Sequence, residues 1–142
     1  MREYAARGDG GVAPAILLIE DDARLSECLG RYLSVKGLRV CAVQRGSEVW
    51  DLPDLEGFAA LLVDAGLPDG SGLDVITELR ARGVRAPAIL VTGLAYAFAV
   101  EGLEALGVRR VMGKPFSLAE LHRVLEVVLH ENRRADHGLN RP

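Results

Sequence analysis

The chain has 142 residues, 49% hydrophobic and 26% charged, which suits one soluble domain with a single core and leaves too little for two. Its 17 Lys and Arg against 20 Asp and Glu give a net charge of -3, so no global basic field draws it to nucleic acid or anionic lipid. No signal peptide is evident, no apolar run approaches the ~18 residues of a membrane span, and two cysteines are too few for a disulfide framework.

In chain order, the first 14 residues, MREYAARGDGGVAP, are Gly-rich and polar and are expected to be a flexible extension. Ala15–Ile19 is then an apolar run of strand length that ends abruptly in Glu20-Asp21-Asp22. Leu25, Cys28, Leu29, Tyr32 and Val35 recur every three or four positions and stop at Gly37, which predicts a first helix with Cys28, like Cys41, as a small buried hydrophobe in a reducing cytoplasm. A second strand is expected over 40–43, a short helix over 47–52 and a third strand over 59–63 that runs into Asp64. Pro68-Asp69-Gly70-Ser71-Gly72 is turn chemistry. A third helix marked by Leu73, Ile76 and Leu79 follows and ends near Gly83.

After Pro87 the run 88–91 is a fourth strand leading to Thr92-Gly93. A fourth helix is expected over 95–106, with Tyr96, Val100, Leu103 and Leu106 inward and Phe98 and Ala105 on an unusually apolar outer face. The fifth strand, 108–112, precedes Gly113-Lys114-Pro115. Ser117 and Glu120 then form a capping box for a helix with Leu118, Leu121, Leu125 and Val128 on its inward stripe. The domain is thus expected over 15–130, with 131–142 a flexible tail or truncated linker; His122, His130 and His137 read as solvent-facing or rim histidines.

Five strands alternating with five helices imply right-handed crossovers and a parallel sheet covered on both faces. In such a sheet polar residues at the carboxyl ends of the strands converge on a crevice where strand order reverses. Those ends carry Glu20-Asp21-Asp22, Asp64, Thr92 and Lys114. Singly, an acid could be a helix cap, Thr92 a strand-end threonine and Lys114 a surface lysine. Together, and in this order, they form a constellation that chance does not readily supply.

The segments ILLIEDD, LLVDAGLPDGSGLDVI, ILVTG and VMGKPF resemble those of a response-regulator receiver domain of two-component signalling, over about residues 15 to 130. The resemblance implies an α/β fold of flavodoxin-like type, (βα)5, with a doubly wound five-stranded parallel sheet in the order 2-1-3-4-5. It implies that Asp64 accepts a phosphoryl group and that Glu20 and Asp21 form a metal-binding acidic pair, with Asp64 and the backbone carbonyl of Gly66 completing the protein ligands. Thr92 and Lys114 would contact the phosphoryl oxygens, helped by backbone N–H groups at Ala65 and Gly93, and Lys114–Pro115 becomes a candidate cis peptide.

Elementary electrostatics supports these roles. A carboxylate attacks phosphorus only if its repulsion by the phosphoryl oxygens is cancelled. Two like charges ~5 Å apart repel by roughly 3 kcal/mol at an effective dielectric of ~20. A divalent ion removes that penalty, and hard oxygen ligands describe Mg²⁺, with Mn²⁺ able to substitute; no Cys or His lies at these strand ends to suit zinc. Asp22 is better placed to cap the first helix than to bind metal.

The expected function is therefore a phosphorylation-controlled switch and not an enzyme in the usual sense, beyond catalysing its own phosphoryl transfer and slow aspartyl-phosphate hydrolysis. Its expected partners are a sensor histidine kinase or phosphotransfer protein, and a homodimer mate or effector at the face of helix four, strand five and helix five, with no direct nucleic acid or membrane contact. Receivers usually carry an aromatic residue three positions before the lysine, where this chain has Val111. Gly66 and Leu94 occupy positions that in receivers influence loss of the phosphoryl group. The alternative is a receiver-like interaction module that acts without phosphorylation. A flavin carrier of the same architecture is disfavoured, because the acidic loop after the first strand repels a phosphate.

Overall fold

Five aliphatic residues in a row can be buried together only where neighbouring strands cover both edges and helices cover both faces. The computed structural model, which describes residues 1–6, 12–93 and 100–139, meets that requirement at β2, Ala15–Ile19. β2 pairs in parallel with β3 (Arg39–Val43) on one side and β4 (Ala60–Asp64) on the other. β7 (Ala88–Thr92) and β8 (Val108–Gly113) continue the parallel sheet beyond β4. The parallel order β3-β2-β4-β7-β8 is the expected 2-1-3-4-5.

Alternation sorts each strand between two cores. Ile16, Leu18, Val40, Ala42, Ala60, Leu62, Ile89 and Val91 face helices α1 (Ala23–Val35) and α4 (Leu118–Leu139), whose Leu29, Leu33, Leu121, Leu125 and Val128 are buried against them. Leu17, Ile19, Val43, Leu61, Val63, Ala88 and Leu90 face the other way, onto Val75, Ile76 and Leu79 of α2 (Gly72–Ala81) and Leu103 of α3 (Val100–Glu104). Each fully buried Leu or Ile contributes about 1.5–3 kcal/mol relative to exposure. The two-sided core therefore fixes the register that aligns the strand ends.

The structure corrects the sequence reading in several places. The amino-terminal segment is not wholly a flexible extension: β1, Arg2–Tyr4, adds a sixth strand antiparallel to β3. It docks because α1 presents small residues at four-residue spacing, Ser26, Gly30 and Ser34. Tyr4 lies so close over Gly30 that an added Cβ would meet its ring at 2.5 Å, and the Ser34 hydroxyl donates to the Ala5 carbonyl. The first helix is correspondingly rotated from the expected stripe, with Val35 and Cys28 exposed and Cys41 half-buried.

The second helix is not α-helical. Gly46–Asp51 and Leu55–Gly57 are 3-10 turns, broken by Pro53 and by Asp54 in the left-handed region at φ 53. Six residues ahead of a proline are too few to repay α-helix nucleation. At the carboxyl end the expected loose tail continues α4 to Leu139, since Glu131, Arg133, Arg134 and Ala135 are good helix formers extending a helix already anchored by Val128 and Leu129. The start of the expected fourth helix, 95–99 with Tyr96 and Phe98, lies outside the described residues, as does Leu94; within them Leu103 is buried, Leu106 half-buried and Ala105 exposed.

Candidate functional site

At the end of β2 the backbone stays in the sheet, the Glu20 N–H donating to the Val43 carbonyl at 3.0 Å, while the Glu20 side chain is only 2% exposed. Asp22 turns the chain into α1 and accepts at Oδ1 from the Arg24 and Leu25 N–H groups, at 3.0 and 3.1 Å. It is thereby committed to the helix as expected. Its own N–H donates to Glu20 Oε2 at 3.0 Å, so the cap also orients the neighbouring carboxylate. Asp21 is left exposed.

Asp64 is the last residue of β4, 8% exposed, its backbone paired in register with Val91 of β7. Its Oδ1 accepts from the Gly66 N–H at 3.0 Å and its Oδ2 from Lys114 Nζ at 3.0 Å. Thr92, 7% exposed, ends β7 opposite Gly113, and the Lys114 N–H donates to the Thr92 carbonyl at 2.9 Å. The peptide after it, Lys114–Pro115, is cis.

Carboxylate oxygens of Glu20, Asp21 and Asp64 lie within 4.8 Å of one another. Lys114 Nζ sits against two of these groups, 2.8 Å from Glu20 Oε1 and 3.0 Å from Asp64 Oδ2. Burial pushes the Glu20 carboxyl up to about 7 from 4.5; its bonds from Lys114 and the Asp22 N–H pull the other way, and the Asp64 charge adds to the rise. On Lys114, burial opposes the charge but is outweighed by the hydrogen bonds and attraction of Glu20 and Asp64, which hold its pKa above the ordinary value. One ammonium thus faces a site of three carboxylates. The excess negative charge and the all-oxygen donor set fit a hard divalent ion such as Mg²⁺.

Glu20, Asp21, Asp64 and Lys114 are thus brought together, and Thr92 and Gly66 stand beside them on the same strand ends. Lys114, expected at the phosphoryl oxygens, lies closer to Glu20 than to Asp64. The Ala65 N–H, expected to help hold the phosphoryl group, instead donates to the Val91 carbonyl at 2.9 Å, part of the β4–β7 pairing. Sequence reasoning missed Gly72: a Cβ there would fall 2.1 Å from the Asp64 carbonyl oxygen, so α2 can start beneath the site only from a glycine. Asp69 was read as turn chemistry, but its carboxylate reaches the N–H groups of Gly46 and Ser47 at 3.0 and 2.9 Å.

His122, expected as a solvent-facing or rim histidine, meets Glu126 at 3.1 Å and stands edge-on to Tyr32. Val111 is half-buried against the core. Among the described residues no helix is long and apolar enough to cross a membrane.

The family model of the response regulator receiver domain matches residues 16–126. The swarming motility regulation protein RssB of Serratia marcescens is 35% identical over 112 residues, 75% of this chain and 48% of that protein. The cell cycle response regulator CtrA of Brucella ovis is 31% identical over 119 residues, 83% of this chain and 51% of that protein. The chain spans about half the length of these curated relatives. Among solved structures, the non-phosphorylated HemR receiver domain from Leptospira biflexa is similar at a TM-score of 0.73 and 34% identity, covering 82% of this chain and 94% of that one. The receiver domain of sensor histidine kinase PA1611 from Pseudomonas aeruginosa PAO1, which has a magnesium ion coordinated in its active site cleft, matches at a TM-score of 0.70 and 30% identity, covering 84% of this chain and 99% of that one.

Proposed function

The chain belongs to the response-regulator receiver family, and from that premise we propose that it is a signalling switch whose Asp64 accepts a phosphoryl group in a Mg²⁺-dependent reaction. The observation that carries this reading is the meeting of Glu20, Asp21 and Asp64 within 4.8 Å with Lys114 against two of them. A phosphoryl acceptor needs a carboxylate that is held still and shielded from its own charge. Asp64 has both, because the Gly66 N–H fixes one oxygen and Lys114 neutralises the other.

Glu20, Asp21, Asp64 and the Gly66 carbonyl would hold Mg²⁺, with Mn²⁺ able to substitute, and the bound ion would neutralise negative charge on the carboxylate and phosphoryl oxygens. In the transfer an Asp64 oxygen forms a bond to phosphorus as the phosphorus–nitrogen bond of a phosphohistidine breaks, its electron pair returning to the imidazole. Lys114 keeps a charge-assisted bond to the phosphorylated side chain, and the Thr92 hydroxyl donates to a phosphoryl oxygen. The donor is a sensor histidine kinase or phosphotransfer protein. The output surface is the face of α3, β8 and α4, used for a homodimer mate or an effector.

Incubating the protein with acetyl phosphate tests the proposal. Labelling is expected with Mg²⁺, to be lost in EDTA and in Asp64→Asn. If wild type takes up no label and binds no Mg²⁺, the switch reading is overturned in favour of an interaction module that acts without phosphorylation.

A further inference from the structure

The 3-10 turn Gly46–Asp51 opens with backbone N–H groups that its own preceding residue does not cap, since Arg45 makes no side-chain capping bond. The cap comes from 23 residues away: Asp69 Oδ1 accepts from the Gly46 N–H at 3.0 Å and Oδ2 from the Ser47 N–H at 2.9 Å. Both carboxylate oxygens are used, and these bonds hold the Asp69 carboxyl below its ordinary pKa. Packing reinforces the contact, because Gly46 is buried where a Cβ would meet Val75 Cγ2 at 2.8 Å, with Leu67 close by.

Asp69 stands at the tip of a small antiparallel hairpin formed by β5 (Gly66–Leu67) and β6 (Gly70–Ser71). The base of that hairpin is the proposed metal end of the site. There the Gly66 N–H holds Asp64 Oδ1 at 3.0 Å, the Gly72 N–H donates to the Ala65 carbonyl at 2.9 Å, and the Gly66 carbonyl is the backbone ligand proposed above. A loop that carries both an orienting donor and a ligand must be held at more than its two ends if it is to stay within the tolerance of a metal site.

We propose that Asp69 is a positioning residue: by capping the 46–47 turn it pins the hairpin tip and so holds Gly66 in place against Asp64 and the ion. The proposal rests on the Mg²⁺ reading of the site and adds a residue that makes no contact with the ion or the phosphoryl group. A carboxylate suits the position because each of its two oxygens takes one of the two donors.

The test titrates Mg²⁺ into wild type, Asp69→Ala, Asp69→Asn and Asp74→Asn, and follows hydrogen exchange of the Gly66 amide without metal. Asp74, an exposed acid in the first turn of α2, controls for loss of one negative charge near the site. Asp69→Ala is expected to weaken Mg²⁺ binding about threefold to tenfold, with the labelling rate at saturating Mg²⁺ changed far less, and to speed Gly66 exchange. Asp69→Asn, with one acceptor oxygen, falls between, and Asp74→Asn leaves Gly66 exchange as in wild type. Wild-type Mg²⁺ affinity in Asp69→Ala, or an equal loss in Asp74→Asn, overturns the positioning role. If wild type itself binds no Mg²⁺, the site reading has failed; the metal-free exchange of Gly66 then still decides whether Asp69 holds the hairpin, unchanged exchange in Asp69→Ala overturning it.

Discussion

Replacing Glu20 by Gln should stabilise the protein in the absence of metal. The structure buries the Glu20 carboxylate beside Asp64, and the folded state raises its pKa to about 7 from 4.5. A carboxyl whose folded pKa is raised holds its proton more tightly when folded, so its contribution to stability is complete below about 4.5 and is lost as pH climbs through about 7. At about 1.4 kcal/mol per pH unit, the interval between those values amounts to roughly 3 kcal/mol lost by pH 8. Gln has the same shape and never ionises, so it escapes that loss; the pull of the 2.8 Å bond from Lys114 is already contained in the value of about 7.

The net expectation is a gain of up to roughly 3 kcal/mol at pH 8 in EDTA and close to none near pH 4.5. Urea unfolding at the two pH values measures it through the transition midpoint. Saturating Mg²⁺ should then stabilise wild type more than the variant, because the ion binds the folded state and the variant lacks one ligand charge. A Glu20→Gln protein less stable than wild type at pH 8 in EDTA would refute the reasoning, since it would mean that Lys114 more than compensates the burial of Glu20.

Gly72→Ala should cost about 1–3 kcal/mol and slow Asp64 labelling, because its methyl would stand 2.1 Å from the Asp64 carbonyl oxygen and force β4 or α2 to move; stability and labelling equal to wild type would contradict this. Asp22→Ala should cost about 1 kcal/mol by uncapping the Arg24 and Leu25 N–H groups while keeping most Mg²⁺-dependent labelling, which thermal unfolding and a labelling assay would show together.

The parallel sheet and its rim of polar strand ends were legible because they depend on strong, local signals, whereas the strand order came from the resemblance to receivers. Apolar runs of strand length alternate with helical spacing, and in a parallel sheet every strand end that follows such a run lands on the same rim. That logic put Glu20, Asp64, Thr92 and Lys114 at one edge with no knowledge of pairing. What it could not reach were interactions decided by close approach between distant segments. Tyr4 over Gly30 needs a groove of small residues on α1, a pattern visible as Ser26, Gly30 and Ser34 but hidden beneath the stronger Leu periodicity. Val35 and Cys28 were misplaced for the same reason, since β1 takes the side of the helix that the leucines alone leave undefined.

The short 3-10 turns in place of the second helix follow from Pro53 and the left-handed Asp54, a breaker signal that the sequence contains and the weak apolar pattern of 47–52 obscured. Lys114 touching Glu20 as well as Asp64, and Asp69 capping a turn 23 residues earlier, depend on side-chain reach across loops. Neither has a signature in spacing.

The most direct test of the central claim is to locate the phosphoryl group itself. Peptide mapping of the protein after incubation with acetyl phosphate and Mg²⁺, with an EDTA control, is predicted to place a single acid-stable, base-labile adduct on the peptide containing Asp64, absent when Mg²⁺ is removed. An adduct on any other residue, or one on Asp64 that forms equally well in EDTA, would contradict the account.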